Sequence, residues 1–419
     1  MKKLFIALTG VALVLGLSAC GNDEPTTLVI QSSFVREVSE KEIYQNEIFA
    51  AFEEEHNVTI ELNTYTEVGN LYDKIKTEQE SDNVTSDLVI AHYSDMVNYI
   101  IDNDYMMDLS DLEADMDDRT FLDAFETSTN HNGNRYFFPI NIDVYTGIAS
   151  VEAFDYLPAG LTKEDVLAGD YTWDDYVAWA DGENVMTAMK GEAGRLLIYQ
   201  VGGMALSHTD TITGTFPALN TEANIKAWTD ILAMANNGAL HAESTTVSST
   251  QDLLESGAID LMFEHQSVVG LTYAGAPAQF EVFPGPKGDS GKAGTIAGGH
   301  GIGIVEGSEN AELAKEFIEW MTAPEQIISA ALGSTPPLLE ATEALGTSPA
   351  DIVIAMGVAT LANSNVEGLQ MIPDFSNWGG VKAASDEVFA EIMDGTITTV
   401  AELETKLVEQ QAELDDLRN

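Results

Sequence analysis

Between Leu28 and Ala91, short apolar runs alternate with amphipathic ones, and this alternation narrows the fold more than any other feature of the chain. Leu28-Val29-Ile30, Val58 to Leu62 and Asp87 to Ala91 have the length and apolar content of strands. Between them, Ser39 and Glu42 form a capping box ahead of a helix with Ile43, Ile48, Ala51 and Phe52 on one face, and Leu71 and Ile75 mark a second helix. Strand, helix, strand, helix, strand predicts an α/β fold with a parallel sheet covered on both faces. In such a sheet the ligand crevice lies beyond the carboxyl ends of the strands. Phe34 to Arg36 and His92 to Asp95 are therefore candidates on geometry alone, with Phe34, Arg36, His92, Tyr93 and Asp95 carrying the chemistry.

The chain has 419 residues, more than one hydrophobic core usually organises, so two lobes are expected. Tyr136 to Ile140 reads as a strand leading into Asn141 to Gly147. Thr172 and Asp175 form a capping box at the start of a helix, and helical patterning runs from Thr221 to Gly238. Gly257 to Phe263 reads as a strand entered from a helix, Phe280 to Gly291 as a Pro/Gly-rich turn region, and Ile296 to Val305 as a glycine-laced strand. Ser308 is placed to cap a helix that turns Leu313, Ala314, Phe317, Ile318 and Met321 inward. Val400, Leu403, Leu407, Leu414 and Leu417 sit at heptad spacing, which suits a terminal helix docking on its own lobe better than a coiled coil.

The N-terminus carries an address. Lys2 and Lys3 precede an apolar stretch from Leu4 to Leu17, which exits through Ser18-Ala19-Cys20-Gly21. A basic start, an apolar run too short for a comfortable membrane span and a small-residue exit describe a secretory signal over residues 1–19. Leu17 to Gly21 resembles a bacterial lipobox, which implies that Cys20 is acylated and that residues 20–27 form a lipidated tether. Cys20 is the only cysteine, so no intramolecular disulfide can form.

Charge excludes several partners. Asp plus Glu number 69 against 18 Lys plus Arg, a formal net charge of −51. Nucleic acid and anionic membrane surfaces both need a basic face that this chain lacks, so contact with membrane is expected through the lipid anchor only. So much charge of one sign repels itself at low ionic strength, which suits a salty environment.

The chain resembles a family 1 extracellular solute-binding protein of bacterial ABC importers, the group that includes the maltose-binding proteins. The resemblance rests on blocks in order: the lipobox, Asp87-Leu88-Val89-Ile90, Asn134 to Pro139, Tyr171 to Asp174, Leu254 to Met262, Gly298 to Ile302, Ala314 to Trp320 and Gly395 to Ala401. It implies two lobes, each with a mostly parallel sheet flanked by helices, joined by crossover hinge segments and closing around a ligand. The N-lobe is expected at 28–143 with 291–340, and the C-lobe at 144–290 with 341–419. A monomer with no cofactor is implied. Its partners would be a small-molecule solute, carbohydrate first, and the membrane subunits of an importer.

Sugars present apolar ring faces and a rim of hydroxyls, so their sites combine aromatic platforms with carboxylates, amides and imidazoles. The resemblance places a stacking aromatic at Trp378 and a cleft-facing acid at Asp143, with Tyr145 two residues on along the same face. His265 and Gln266 follow a strand end, and His300 lies among glycines that permit close backbone approach. Relatives often carry a tryptophan near His265, and its absence argues against a long oligosaccharide. Two rivals are weighed. Neutral imidazoles suit zinc, so His92, His265 and His300 could serve a metal-transport protein, although none has the close spacing of a dedicated zinc pair. An extracellular glycosidase needs two carboxylates held across a bond. No nucleophile elbow, zinc-protease helix or phosphate loop is present, so enzymatic activity is not expected. A polyol or an anionic solute, the latter through Arg36, stays open within the binding class.

Overall fold

The computed structural model describes residues 25–35, 38–96, 100–116, 119–122, 130–131, 133–194, 196–209, 218–247, 249–371 and 378–418. Arg36, Cys20, the signal segment and most of the tether lie outside the described residues.

The predicted opening alternation is present. Strands β1 (Thr27–Ser32), β2 (Thr59–Thr64) and β3 (Leu88–His92) pair in parallel with β1 between the other two. Leu88, Val89, Ile90 and Ala91 are all fully buried, as a strand covered on both faces requires. The side chains divide by parity. Leu28, Ile30, Leu88 and Ile90 join one core, while Val89 and Ala91 join another on the opposite face.

The helix after β1 departs from the expected pattern. It runs through Val38–Ile43, a π-helical stretch at Tyr44–Phe49, and α1 (Ala50–His56). Its buried positions are Tyr44, Ile48, Phe49 and Phe52, so Ile43 is only half-buried and Ala51 is exposed. The wider π turn rotates the buried stripe away from the one that a regular α-helical period predicts. Ser39 lies within the helical run rather than ahead of it. Helix α2 (Val68–Ser81) buries Leu71 and Ile75 as expected.

Strand β4 (Phe138–Asp143) continues almost directly into β5 (Tyr145–Ser150), so the predicted strand at Tyr136 to Ile140 begins two residues later and extends through the segment that follows it. β5 is the middle of a separate three-stranded sheet with β6 (Leu261–His265) and β7 (Phe280–Phe283). β7 occupies the start of the stretch read as turns, where its four residues precede the Pro/Gly run. The strand directions are more mixed than the alternation alone implies. β6 and β7 both run antiparallel to β5, because β5 enters this lobe from the first sheet and the other two return from its helical layer. β8 (Ala293–Ile304) runs antiparallel to β3 and β4 of the first sheet through Gly298 to Ile304, and its opening residues pair in parallel with β9 (Ser364–Met371).

Helices wrap both sheets. α3 (Trp173–Trp179) starts at the predicted box, with the Thr172 hydroxyl accepting from Asp175 N and the Asp175 carboxylate accepting from Thr172 N. α4 (Leu197–Ser207), α5 (Glu222–Asn236) and α6 (Gln266–Gly275) share cores with the sheet of β5, β6 and β7. α7 (Ala311–Met321) buries Ala314, Phe317, Ile318 and Met321 against the first sheet, each side chain contributing about 1–3 kcal/mol by leaving water. Its N-cap is Asn310 rather than Ser308; the Ser308 hydroxyl instead donates to Asp87 and accepts from Asn310 N. α8 (Pro349–Asn363) and α9 (Trp378–Met393) precede α10 (Val400–Arg418), which packs Leu403, Leu407 and Leu414 into the second-lobe core beside Trp228.

The two sheets meet through short chain segments. β4 passes into β5 at Val144, and Thr335 returns beside it: Ile142 N donates to Thr335 O at 2.9 Å and Thr335 N to Ile142 O at 3.1 Å.

Candidate functional site

Where β4 ends and β5 begins, the carboxyl ends of β3 and β6 come together with the middle of β8. The last residue of β3 is His92, and the last residue of β6 is His265. Asp143 ends β4 opposite Gly298 of β8, and Tyr145 begins β5 opposite His265.

The first-lobe wall is aromatic. Phe34, half-buried just after β1, stacks on the His300 imidazole at 4.1 Å with 20° between planes. His92 stands edge-on to His300, with centroids 5.5 Å apart, and its Nε2 accepts from Gly299 N at 3.3 Å. A methyl group at Gly299 would overlap the Tyr93 ring and the Asn141 carbonyl, so only glycine lets β8 lie this close. The β4–β8 register shifts between His300 and Gly301, and such a bulge re-aims the side chains on either side of it.

Asn141 carries a role that the sequence did not disclose. Fully buried on β4, its Oδ1 accepts from His300 N at 2.8 Å and lies 3.1 Å from His300 Nδ1. Its Nδ2 has no hydrogen-bond partner among the described residues, and the same holds for Asp143 Oδ1. The available signal was parity: Asn141 and Asp143 are two apart on one strand and share a face. Two unpartnered buried polar atoms on neighbouring side chains are costly unless something else meets them.

On the second-lobe side, His265 Nδ1 lies 2.8 Å from the Ser267 hydroxyl and accepts from Ser267 N at 3.4 Å. With Nδ1 accepting, the neutral ring carries its proton on Nε2, which lies 3.9 Å from Asp143 Oδ2. The buried Tyr145 ring stands edge-on to His265 at 5.6 Å, and its backbone N donates to Thr295 Oγ1. Burial pushes the Tyr145 phenol well above its usual range, with Glu264, Tyr199 and Asp143 adding to the effect, so it stays protonated.

Two predicted residues are turned inward. Tyr93 is 1% exposed, stacks on Phe137 and donates its hydroxyl proton to Asn141 O at 2.7 Å. It braces the site rather than lining it, because the chain turns into a helix at Tyr93 and carries its ring under β8. Gln266 is fully buried; its Oε1 accepts from Thr335 Oγ1 and its Nε2 donates to Gly333 O, so it ties α6 to the returning segment. Asp95 ends a short helix at Tyr93–Asp95 and is half-buried. Trp378 is the first residue of α9, and its side chain lies outside the described residues.

The three histidines do not converge on a metal. His92 and His300 stand on the first-lobe wall while His265 faces them from the second, and the described residues hold no group of three or more His, Cys, Asp or Glu arranged for an ion. A surface hollow of about 750 Å³ lies elsewhere, on the second lobe between Ala235, Leu240, Thr245 and the end of α9, and contains none of these residues.

The crossover between the two sheets and the polar atoms gathered at the strand ends make up the candidate site. The sequence profile of the bacterial extracellular solute-binding proteins matches residues 47–395. The chain belongs to that family. Solved structures of solute-binding proteins share the fold. The sugar-binding protein MalE from the phytopathogen Xanthomonas citri is 16% identical, with a TM-score of 0.71 over 94% of this chain and 98% of that one. An ABC substrate-binding protein from Listeria monocytogenes, in complex with cycloalternan, is 16% identical with a TM-score of 0.68 over 94% and 99%. The GacH receptor of Streptomyces glaucescens, solved unliganded and with acarbose, is 17% identical with a TM-score of 0.65 over 93% and 98%. No curated protein sequence matches. The solute-binding family is not an enzyme family, and it is extracellular. No helix among the described residues is long and apolar enough to cross a membrane.

Proposed function

We propose that this solute-binding protein captures a mono- or disaccharide between its lobes and presents it to an ABC importer. The observation that carries this reading is that Asp143 Oδ1 and Asn141 Nδ2 are both buried without a partner among the described residues, on the strand beside the Phe34–His300 stack. An acceptor and a donor on one strand face suit a pair of sugar hydroxyls, and the stacked rings suit an apolar sugar face. A carboxylate at this position would repel an anion, which speaks against an anionic solute.

The lobes are taken as 28–143 with 291–340 and 144–290 with 341–419, and closure brings Tyr145 and His265 to a ligand already held by the first wall. Trp378, at the start of α9, is proposed as the second-lobe stacking aromatic. Cys20 is proposed as the acylated anchor, holding a monomeric receptor outside the cell. The solved relatives bound to cycloalternan and acarbose make carbohydrate the first class to try.

Native mass spectrometry of the protein as purified, followed by a calorimetric sugar panel, tests the reading. The expected result is 1:1 binding with a micromolar Kd, about −8 kcal/mol, accompanied by contraction in solution scattering and lost in Trp378→Ala. A scattering profile unchanged by every sugar tried would overturn it.

A further inference from the structure

Lys190 and Glu264 form an ion pair inside the second lobe, with Nζ 2.5 Å from Oε1 and side-chain exposures of 2% and 0%. The chain has 18 Lys and Arg against 69 acids, and Lys190, like Arg135, is one of the few it buries fully. The carboxylate is fully engaged. Oε1 also accepts from His265 N at 2.5 Å, and Oε2 accepts from Thr250 Oγ1 at 2.7 Å. The lysine is anchored in turn: its backbone N donates to Gln200 Oε1 at 2.9 Å, and Gln200 Nε2 donates to Phe263 O at 2.7 Å. The bonds therefore bracket three consecutive residues at the end of β6, through the Phe263 carbonyl, the Glu264 side chain and the His265 amide. The lysine's loop is also fixed to the other wall element, since Gly194 N donates to Asp386 Oδ2 of α9 at 2.5 Å.

A buried ion pair is a poor source of stability, because the desolvation of two charges offsets most of their attraction and apolar replacements often fold as well or better. Its retention calls for a geometric reason, and the residue it holds is His265, whose Nε2 faces Asp143 across the cleft. We propose that Lys190 and Glu264 are positioning residues of the solute site, fixing the end of β6 so that the His265 imidazole meets Asp143 and the ligand at one distance. The proposal rests on the reading that this cleft holds the solute. With the pair removed, the His265 amide loses its acceptor, and the imidazole, hydrogen-bonded through Nδ1 to Ser267 on its own helix, moves with a loosened strand end.

The test uses a double variant, Lys190→Met with Glu264→Met, which keeps the volume and leaves no lone buried charge. Histidines are labelled with ¹³C, and the His265 signal is assigned by its disappearance in His265→Gln. In the ligand-free double variant the His265 signal is expected to shift or broaden while those of His92 and His300 stay in place. Affinity for maltose should fall about tenfold, the loss of about one good hydrogen bond. Thr250→Val, which removes one bond and no charge, should displace the His265 signal less, and Thr250→Ser should restore it. A folded double variant with an unchanged His265 signal overturns the proposal, whatever happens to its melting temperature, and so does an unmoved signal in Thr250→Val should the double variant fail to fold. Because the resonance is read without ligand, a wild-type protein that bound no sugar would count against the proposed function without deciding this one.

Discussion

The phenyl ring of Phe34 lies flat against the imidazole of His300, although 266 positions separate them in the sequence. One follows the first strand of the sheet and the other sits in β8, so the contact exists only because β8 is threaded in beside β3. A stacked pair of this kind contributes about 0.5–1.5 kcal/mol beyond the area it buries. Phe34→Ala removes both the stack and a candidate sugar platform, and should raise the Kd for maltose about tenfold by calorimetry. Phe34→Tyr, which keeps the ring, should stay close to wild type. Equal affinity in Phe34→Ala would take the platform out of the site.

Asp143 separates binding from stability. Its Oδ1 is buried with no partner among the described residues, so the carboxylate does little for the empty fold. Asp143→Asn keeps the shape and removes the charge. Affinity should drop about 10- to 100-fold, the range for losing a charged hydrogen bond, while the melting temperature holds or rises. A variant that melts early yet binds normally would mark Asp143 as structural.

How much of this was legible in the sequence depends on what each residue answers to. β1 and β3 were readable because buried parallel strands need continuous apolar runs, β2 because Val58, Ile60 and Leu62 alternate with polar residues as on a half-exposed edge, and the box at Thr172 and Asp175 because capping is local chemistry. The π turn at Tyr44–Phe49 was not, since a 3.6-residue period cannot announce its own interruption. His92, Asp143 and His265, each chosen from a strand end, lie at strand ends that the fold brings together. Which neighbours faced the cleft was another matter: Tyr93 and Gln266 adjoin site residues and turn inward, and Asn141 was passed over. Lys190 and Glu264, 74 positions apart, carry no local signal at all.

Asp181 supplies a pH-dependent contribution well away from the cleft. Its carboxylate accepts from the Asn184 backbone N at 2.7 Å, the Asn184 side chain at 2.9 Å, and the backbone N of Glu183 and Val185. These bonds, the Asn184 backbone first, hold its pKa down to about 2 from 3.8. A depressed folded-state value stabilises the fold above the unfolded pKa, and that stabilisation is lost as pH falls through about 2. Asp181→Ala should therefore melt earlier than wild type near neutral pH, with the gap closing as the acid is titrated. A gap that stayed constant into strong acid would assign the effect to packing.

The net charge of −51 makes salt a variable for the whole fold. The screening length falls from about 10 Å at 0.1 M to about 3 Å at 1 M, so repulsion among surface carboxylates should be largely removed over that range. Melting temperature should rise by several degrees between low salt and about 1 M potassium chloride. A flat or falling curve by calorimetry would show that the acids are spaced too widely to matter.

Gly357 offers a test of the crossover itself. It lies buried in α8, where a methyl group would overlap both the Thr335 hydroxyl and Gln266 Oε1. Those two atoms are hydrogen-bonded at 2.9 Å, and Thr335 is also paired by its backbone to Ile142, one residue from Asp143. Gln266 in turn follows His265. Gly357→Ala therefore presses on a contact that joins α6 to the segment paired with β4, and overpacking of this kind costs about 1–3 kcal/mol. The expected outcome is a lower melting temperature together with weaker maltose binding, because the pair cannot relieve the clash without moving residues beside Asp143 and His265. Thr335→Ala deletes the hydroxyl and opens room for the added methyl. In that background Gly357→Ala should cost less than it does alone, a non-additivity that a double-mutant cycle reads directly. Strict additivity would mean that α8 shifts as a body and that the crossover does not feel it.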